Sequence, residues 1–312
     1  MKKVFIVGIN GQDGHYLARY LNETDYQLFG TDIKERGDLP SSVNYFKGSI
    51  ADHSFLTEIL LDVKPDMIFN LASISQVSDS YNMPEETYTI NVLAVIRMLE
   101  IIRKNLKTTR FLQASSSEIF GGNANPPYDE NSVPIPLSPY AVSKLAAYYM
   151  VKIYRKDFNL FTANAILFNH TSPRHSSNFV IPKIIRGLVE IKLGKVKKIS
   201  LGNLDIVRDW GYAEDYVKAM VSILNYFGAD DFVVGTGVPT TLKEIVQYVL
   251  KKLNLSYNDV IKIDTDLFRL NEPMCIYSNP SKIKNELGWR PEKSLRQILD
   301  VMIEAEIVKQ KK

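Results

Sequence analysis

The stretch from Val4 to Gly14 constrains the fold more than any other. Four apolar residues, Val4, Phe5, Ile6 and Val7, run into Gly8-Ile9-Asn10-Gly11-Gln12-Asp13-Gly14, and Tyr16, Leu17, Tyr20 and Leu21 follow at helical spacing. A short apolar run ended by glycine is a buried strand, too short for the core of a secretion signal. Glycines allow a tight turn and a close backbone approach to an anion, and the N-terminus of the following helix favours negative charge. Strand, Gly-x-x-Gly-x-x-Gly and helix in succession are the pattern of a dinucleotide pyrophosphate site. The next apolar run, 26–32, ends in the carboxylate of Asp32. An acid there can bond both adenosine ribose hydroxyls and repels a 2′-phosphate, so NAD is expected ahead of NADP.

Strand and helix patterns keep alternating. Residues 55–61 read as a helix, 66–72 as a strand, 89–103 as a long helix and 110–114 as a strand opening into Ser115-Ser116-Ser117-Glu118. Repeated units with apolar strands predict an α/β fold, a doubly wound parallel Rossmann sheet. Ligands of such sheets sit beyond the carboxyl ends of the strands. Segments 8–14, 72–76 and 115–118 and the residue Tyr140 fall at or just after such ends, so they are expected to face one crevice. After Asn169 the pattern turns irregular, with helices at 179–193, 212–227, 241–253 and 280–287 and short strands within 200–209 and 231–235. That predicts a smaller, discontinuous C-terminal substrate-binding lobe closing over the crevice. The expected division gives 1–168 and about 205–238 to the dinucleotide-binding domain, and about 169–204 and 239–312 to the lobe.

Composition narrows the partners. The chain has 312 residues, 45% of them apolar, and a net charge of +3. Its Lys and Arg residues are scattered, so no nucleic-acid stripe is present. No long apolar segment occurs, and a soluble protein with no membrane role is expected. The one cysteine, Cys275, leaves no internal disulfide and fits a reducing compartment, so the expected location is cytoplasmic. His15, His53, His170 and His175 show no metal-ligand spacing, and no metal is expected. The closing Lys309-Gln310-Lys311-Lys312 reads as a solvated tail.

The candidate chemistry lies at Ser138-Pro139-Tyr140-Ala141-Val142-Ser143-Lys144. Ser138 suits an N-cap and Pro139 a first helical turn. Tyr140 and Lys144 then share one helix face. An ammonium beside a phenol is expected to lower the phenol's pKa from about 10 and make it a usable proton acceptor. That is what oxidation of a secondary alcohol needs. A serine hydroxyl at the end of strand 110–114 can bond the oxygen being oxidised. Glu118 adds what simple alcohol oxidation does not need, a carboxylate able to take a proton from carbon beside a new ketone.

These residues together resemble the extended short-chain dehydrogenase/reductases that act on nucleotide sugars, and within them the GDP-mannose 4,6-dehydratases. The resemblance covers nearly the whole chain. It rests on 8–14, Gln113-Ala114-Ser115-Ser116-Ser117-Glu118, 138–145, Ile166-Leu167-Phe168-Asn169-His170-Thr171-Ser172-Pro173-Arg174, 201–205, Arg208-Asp209-Trp210-Gly211 and 287–291. The Gly-Gln-Asp-Gly loop and the Phe-Asn-His segment are the most specific of these.

The resemblance implies that Ser116, Tyr140 and Lys144 are the catalytic hydroxyl, base and lysine, with Glu118 as dehydration acid/base. The candidate cofactor residues are Gly8, Asn10, Gly11, Gln12, Asp13, Gly14, Asp32, Ile50, Leu71, Ala72 and Ser73, with Tyr140 and Lys144. The candidate substrate residues are Ser75, Ser117, Asn169, Lys183, Arg208, Arg269 and Glu272. Fixed cations among the latter suit a pyrophosphate. The implied reaction converts a GDP-hexose to its 4-keto-6-deoxy derivative by internal hydride transfer through NAD. A C4 epimerase or 4-keto reductase using the same set is the alternative, and a non-catalytic NAD-binding protein is a third reading. Four departures bear on this. Ser116 stands where the family usually has threonine, Asp32 where it has a basic NADP-binding stretch and Ser49 where it has an aspartate near adenine; the chain is also shorter than typical members. Large side chains along 89–103 and 138–154, Tyr148, Tyr149, Met150 and Ile153 among them, lead us to expect a homodimer or homotetramer.

Overall fold

The structure, a computed structural model, describes residues 1–268 and 271–311. Its first half runs β1 (Lys2–Val7), α1 (Gln12–Asn22), β2 (Tyr26–Asp32), β3 (Asn44–Lys47), α2 (His53–Val63), β4 (Met67–Asn70), α3 (Val77–Asn82), α4 (Pro84–Tyr88), α5 (Ala94–Asn105), β5 (Arg110–Ser116), α6 (Pro139–Phe158) and β6 (Thr162–Leu167). A π-helical turn at Thr89–Leu93 joins α4 to α5. The second half runs β7 (His170–Thr171), α7 (Val180–Lys192), β8 (Ile199–Leu201), β9 (Val207–Asp209), β10 (Gly211–Tyr212), α8 (Ala213–Asn225), β11 (Phe232–Val234) and β12 (Pro239–Thr241). It closes with α9 (Leu242–Leu253), α10 (Tyr257–Val260), β13 (Ile261–Ile263), β14 (Cys275–Ile276), α11 (Ser281–Leu287) and α12 (Leu295–Gln310).

Seven strands form one sheet in the order β11-β6-β5-β4-β1-β2-β3. Every pairing in it is parallel. The chain leaves β1 in one direction to β2 and β3, then crosses to β4 and continues the other way. The carboxyl ends of β1 and β4 therefore flank a topological switch point, where a crevice opens.

The strands are apolar throughout because both faces are covered. Side chains alternate across a strand. Val4 and Ile6 join Leu17, Leu21, Tyr216 and Met220 on the α1/α8 face, whereas Phe5 and Val7 join Leu56, Leu60, Val95 and Leu99 on the α2/α5 face. A separate core, with Ile184, Leu188, Ile245, Val249, Ile298 and Met302, is built by α7, α9 and α12. Around it, β9 lies between β12 and β14, and β13 pairs with β8.

Several expectations need correction. The terminal lysines are solvated as expected, Lys309 and Lys311 being exposed, but they do not form a loose tail: α12 runs to Gln310 and holds Lys309 in its last turn. Ser294 and Gln297 form a capping box, and Ile298, Leu299, Met302 and Ile303 are buried at helical spacing, each contributing about 1.5–3 kcal/mol through burial. Lys312 lies outside the described residues. Tyr148, expected on an outer face, is 5% exposed, whereas Tyr149 and Ile153 are 46% and 43% exposed. Val207–Asp209 pairs with lobe strands, while Ile283 and Trp289 pack into the α1/α8 core. Among the described residues no helix is long and apolar enough to cross a membrane.

Candidate active site

The glycine loop bends where it does because only glycine fits. Gly8 has φ +80°, and a Cβ on it would lie 2.9 Å from the Ala72 nitrogen. A Cβ on Gly14 would collide with the Gly8 carbonyl oxygen. Loop and β4 end are thus in direct backbone contact, and Leu71 N donates to Val7 O at 3.0 Å. Leu71, Ala72 and Ser73 are half-buried there and Ser75 is exposed. Asn10 N donates to Asp32 Oδ2 at 3.2 Å, and Asp32 Oδ1 accepts from Lys34 N at 3.1 Å. The Asn10 side chain donates to Glu35 O and accepts from Gly37 N, each at 3.0 Å, fixing the loop after β2. Ile50 is buried. Gly11, with no side chain, is exposed ahead of α1. Thr31 Oγ1 and Ser115 Oγ are buried polar atoms with no hydrogen-bond partner among the described residues. An open glycine cradle, a helix N-terminus, a carboxylate at the end of β2 and unpaired hydroxyls at strand ends fit a dinucleotide.

The second part of the site is the start of α6. Ser138 Oγ accepts from Ala141 N at 3.1 Å, an N-cap worth about 1 kcal/mol, and Pro139 occupies the first turn. Tyr140 N donates to Ser80 Oγ at 3.0 Å, which ties α6 to α3. Tyr140 is 7% exposed and Lys144 3%. The Ser116 side chain and the Glu118 charge both lie close enough to act on the Tyr140 phenol. Ser116 Oγ also accepts from Glu118 N at 3.2 Å, capping the turn that carries Glu118. Ser117 is buried beside them. Ser116, Glu118, Tyr140 and Lys144 are thereby brought together.

The electrostatics differ from the sequence expectation. Lys144 Nζ donates to Ala114 O at 2.9 Å and lies 5.7 Å from the Tyr140 ring centroid. Burial pushes the Tyr140 phenol above its ordinary value; the nearby Ser116 side chain pulls it down only partly, and Glu118 pushes it up further. The expected lowering by Lys144 does not occur, because desolvation of a buried phenolate outweighs everything else in reach. Burial also pushes Lys144 down to about 8, against the charge of Asp13, which raises it.

The candidate substrate residues fall into separate groups. Arg208, on β9 and 4% exposed, faces Glu272 with 3.8 Å between Nη2 and Oε1. Asn169 sits just after β6, its Oδ1 buried without a partner among the described residues. Lys183 is exposed on the first turn of α7. Arg269 lies outside the described residues.

With this geometry in view, the comparisons are decisive. The family model described as GDP-mannose 4,6 dehydratase matches residues 5–302. A GDP-mannose 4,6-dehydratase of Vibrio cholerae is 35% identical, over 97% of this chain and 93% of that one. The chain belongs to the GDP-mannose 4,6-dehydratase family. Solved structures share the fold. A UDP-glucose 4-epimerase of Thermotoga maritima, determined with UDP-glucose, has TM-score 0.88 at 22% identity, covering 99% of each chain. A dTDP-glucose 4,6-dehydratase of Bacillus anthracis, determined with NAD, has TM-score 0.85 at 20% identity, covering 100% of this chain and 98% of that one.

The two segments that most specifically resemble this family, 8–14 and 166–174, touch one another. Gln12 Oε1 accepts from Ser172 Oγ at 2.7 Å, and both Asp13 carboxylate oxygens lie 3.0 Å from His170 Nε2. Sequence reasoning missed Asn91. Its Oδ1 accepts from Ile74 N at 3.0 Å and its Nδ2 donates to Ile74 O at 3.2 Å and to Ser143 Oγ at 3.0 Å. It thus joins the loop after β4 to α6 beside Lys144. The available signal was an amide inside an otherwise apolar helical stripe, at the π turn.

Proposed function

We propose that this protein is an NAD-dependent sugar-nucleotide 4,6-dehydratase acting on a GDP-hexose of the GDP-mannose kind. The observation that carries the reading is Glu118 held on the turn capped by Ser116, close enough for its charge to act on the Tyr140 phenol, one carboxylate more than alcohol oxidation requires. Burial by itself keeps the proton on the Tyr140 phenol; the phenolate, favoured once a positively charged nicotinamide lies beside it, takes the proton of the C4 hydroxyl while Ser116 donates to that oxygen. When bound, the nicotinamide supplies reversible hydride acceptance, from C4 and back at C6. Once C4 is a ketone its neighbour C5 is acidic, and Glu118 takes that proton. Glu118 then gives it to the C6 hydroxyl, which leaves as water. The proton held by Tyr140 then goes to C5, giving the 4-keto-6-deoxy sugar and restoring both Tyr140 and Glu118.

Gly8, Gly11 and Gly14 would receive the pyrophosphate, with Asp32 at the ribose. Arg36, the nearest arginine in sequence, donates to Val43 O at 2.8 Å and Pro40 O at 2.6 Å, which supports NAD over NADP because that guanidinium is engaged elsewhere. Arg208, Lys183, Arg269, Asn169 and Glu272 would hold the nucleotide diphosphate end. We assign the large sheet with its helices to cofactor binding and the α7/α9/α12 unit to substrate binding. The protein would work in the cytoplasm as a homodimer or larger assembly, joined through α6 and the π turn ahead of α5, where Leu93, Tyr149, Ile153 and Phe158 are 43–46% exposed. Sedimentation as a monomer at micromolar concentration would rule out that assembly.

The test is incubation with NAD and a panel of GDP-, UDP-, CDP- and dTDP-sugars. Mass spectrometry should show a product lighter by one water from a GDP-hexose. Interconversion at constant mass would mean epimerisation instead.

A further inference from the structure

We propose that Asp13 and His170 act as one positioning unit, locking the glycine loop to the segment that carries Asn169 so that the loop is already set for a dinucleotide. The identity of the dinucleotide rests on the reading above; the contact itself does not.

Asp13 is in the first turn of α1, between Gly11 and Gly14. His170 opens β7, next to Asn169. His170 Nε2 faces both Asp13 oxygens at 3.0 Å, and its Nδ1 faces Phe168 O at 2.8 Å. A carbonyl oxygen can only accept, and so can a carboxylate. Both ring nitrogens must therefore carry protons, and His170 is a cation paired with an anion. The ring is steadied by Tyr216, with centroids 4.5 Å apart. The pair is reinforced one residue along by Gln12 and Ser172, at 2.7 Å. From the other side, Gly211 N donates to Asn169 O at 2.8 Å as β10 pairs with β7.

Burial opposes both charges, yet the partnership prevails: the Asp13 carboxyl is held below its ordinary value and the His170 imidazole above its own. An unpaired carboxylate in the first turn of α1 would repel a pyrophosphate arriving at that helix end. His170 cancels that charge and occupies both oxygens. Asp13 therefore acts on the cofactor through the shape of the loop and not as a direct ligand.

The experiment measures the dissociation constant of NAD by calorimetry for the native protein, Asp13→Asn, His170→Gln and the double variant, with thermal melting alongside. Each single change should weaken NAD binding at least about tenfold, and the double change should be no worse than the weaker single variant. The KM for NAD should rise with it, while kcat at saturation moves less than about threefold. Unchanged affinity in His170→Gln, or losses that multiply in the double variant, would overturn the proposal. Should a variant fail to fold, ¹⁵N shifts of His170 in the native protein at pH 7 decide: two protonated nitrogens are required, and a neutral ring refutes the pair. A native protein that binds NAD but dehydrates no sugar nucleotide would sink the functional reading and leave this test standing.

Discussion

The crevice at the strand ends and the lobe around α7, α9 and α12 are built on different principles. The crevice is assembled from contiguous stretches: the glycine loop between β1 and α1, the serine–glutamate turn after β5 and the start of α6. The lobe sheet joins β9 to β12 on one edge and to β14 on the other, strands far apart in the chain. In the first region function follows from local backbone geometry; in the second it follows from long-range pairing. Changes in the crevice should therefore act on chemistry, and changes in the lobe on substrate affinity.

The largest expected effect is at Tyr140. Tyr140→Phe keeps the ring in its buried slot and removes only the phenolic oxygen. Turnover should fall by roughly 10²–10⁴-fold with KM for the sugar nucleotide nearly unchanged. A rise in KM alone would erase the contrast between the regions.

Arg208 tests the other side. Arg208→Ala deletes a buried guanidinium beside Glu272. Loss of a charge-assisted contact of about 1.5–3 kcal/mol should raise KM for the sugar nucleotide by roughly 10–150-fold and leave kcat within a few-fold. A loss confined to kcat would mean that the lobe shares in the chemistry.

Lys144 separates function from stability through pH. Its value of about 8 lies below the ordinary lysine value of about 10.5, so between these limits the unfolded chain binds more protons than the folded one. The contribution of this group to stability accordingly rises with pH across that window. Its ammonium is lost there too, so kcat/KM should fall above about pH 8 while stability from this group increases. Lys144→Arg, charged throughout, should remove the descending limb even at reduced rate. A limb that persists in the arginine variant belongs to another group.

The smallest effect concerns Asp32. Asp32→Ala should narrow the preference for NAD over NADP, about tenfold or less, in measured dissociation constants. A native preference for NADP would contradict the role given to that carboxylate.

How much was legible follows the same division. Ser138, Pro139, Tyr140 and Lys144 could be read because cap, proline and i,i+4 spacing are local rules, and α6 begins at Pro139 as those rules require. The alternation of Val4 and Ile6 against Phe5 and Val7 likewise needs only the strand period. The ion pair of Asp13 with His170 spans 157 positions, and nothing local announces it. The direction of the Tyr140 shift was misread because spacing reveals the lysine but not the burial, and burial is the larger influence. The helix α12 carries its own local signals, the Ser294–Gln297 capping box and apolar residues at helical spacing, and was legible in principle.

The central claim is that Glu118 turns an alcohol-oxidising site into a dehydrating one. The most direct measurement mixes Glu118→Gln with NAD and GDP-mannose, follows reduced nicotinamide by absorbance and identifies the sugar by mass. Oxidation at C4 should still proceed, so reduced nicotinamide and a 4-keto hexose that keeps its C6 oxygen should accumulate, with overall turnover down by roughly 10²–10⁴-fold. Unimpaired release of the water-loss product by the glutamine variant would contradict the account.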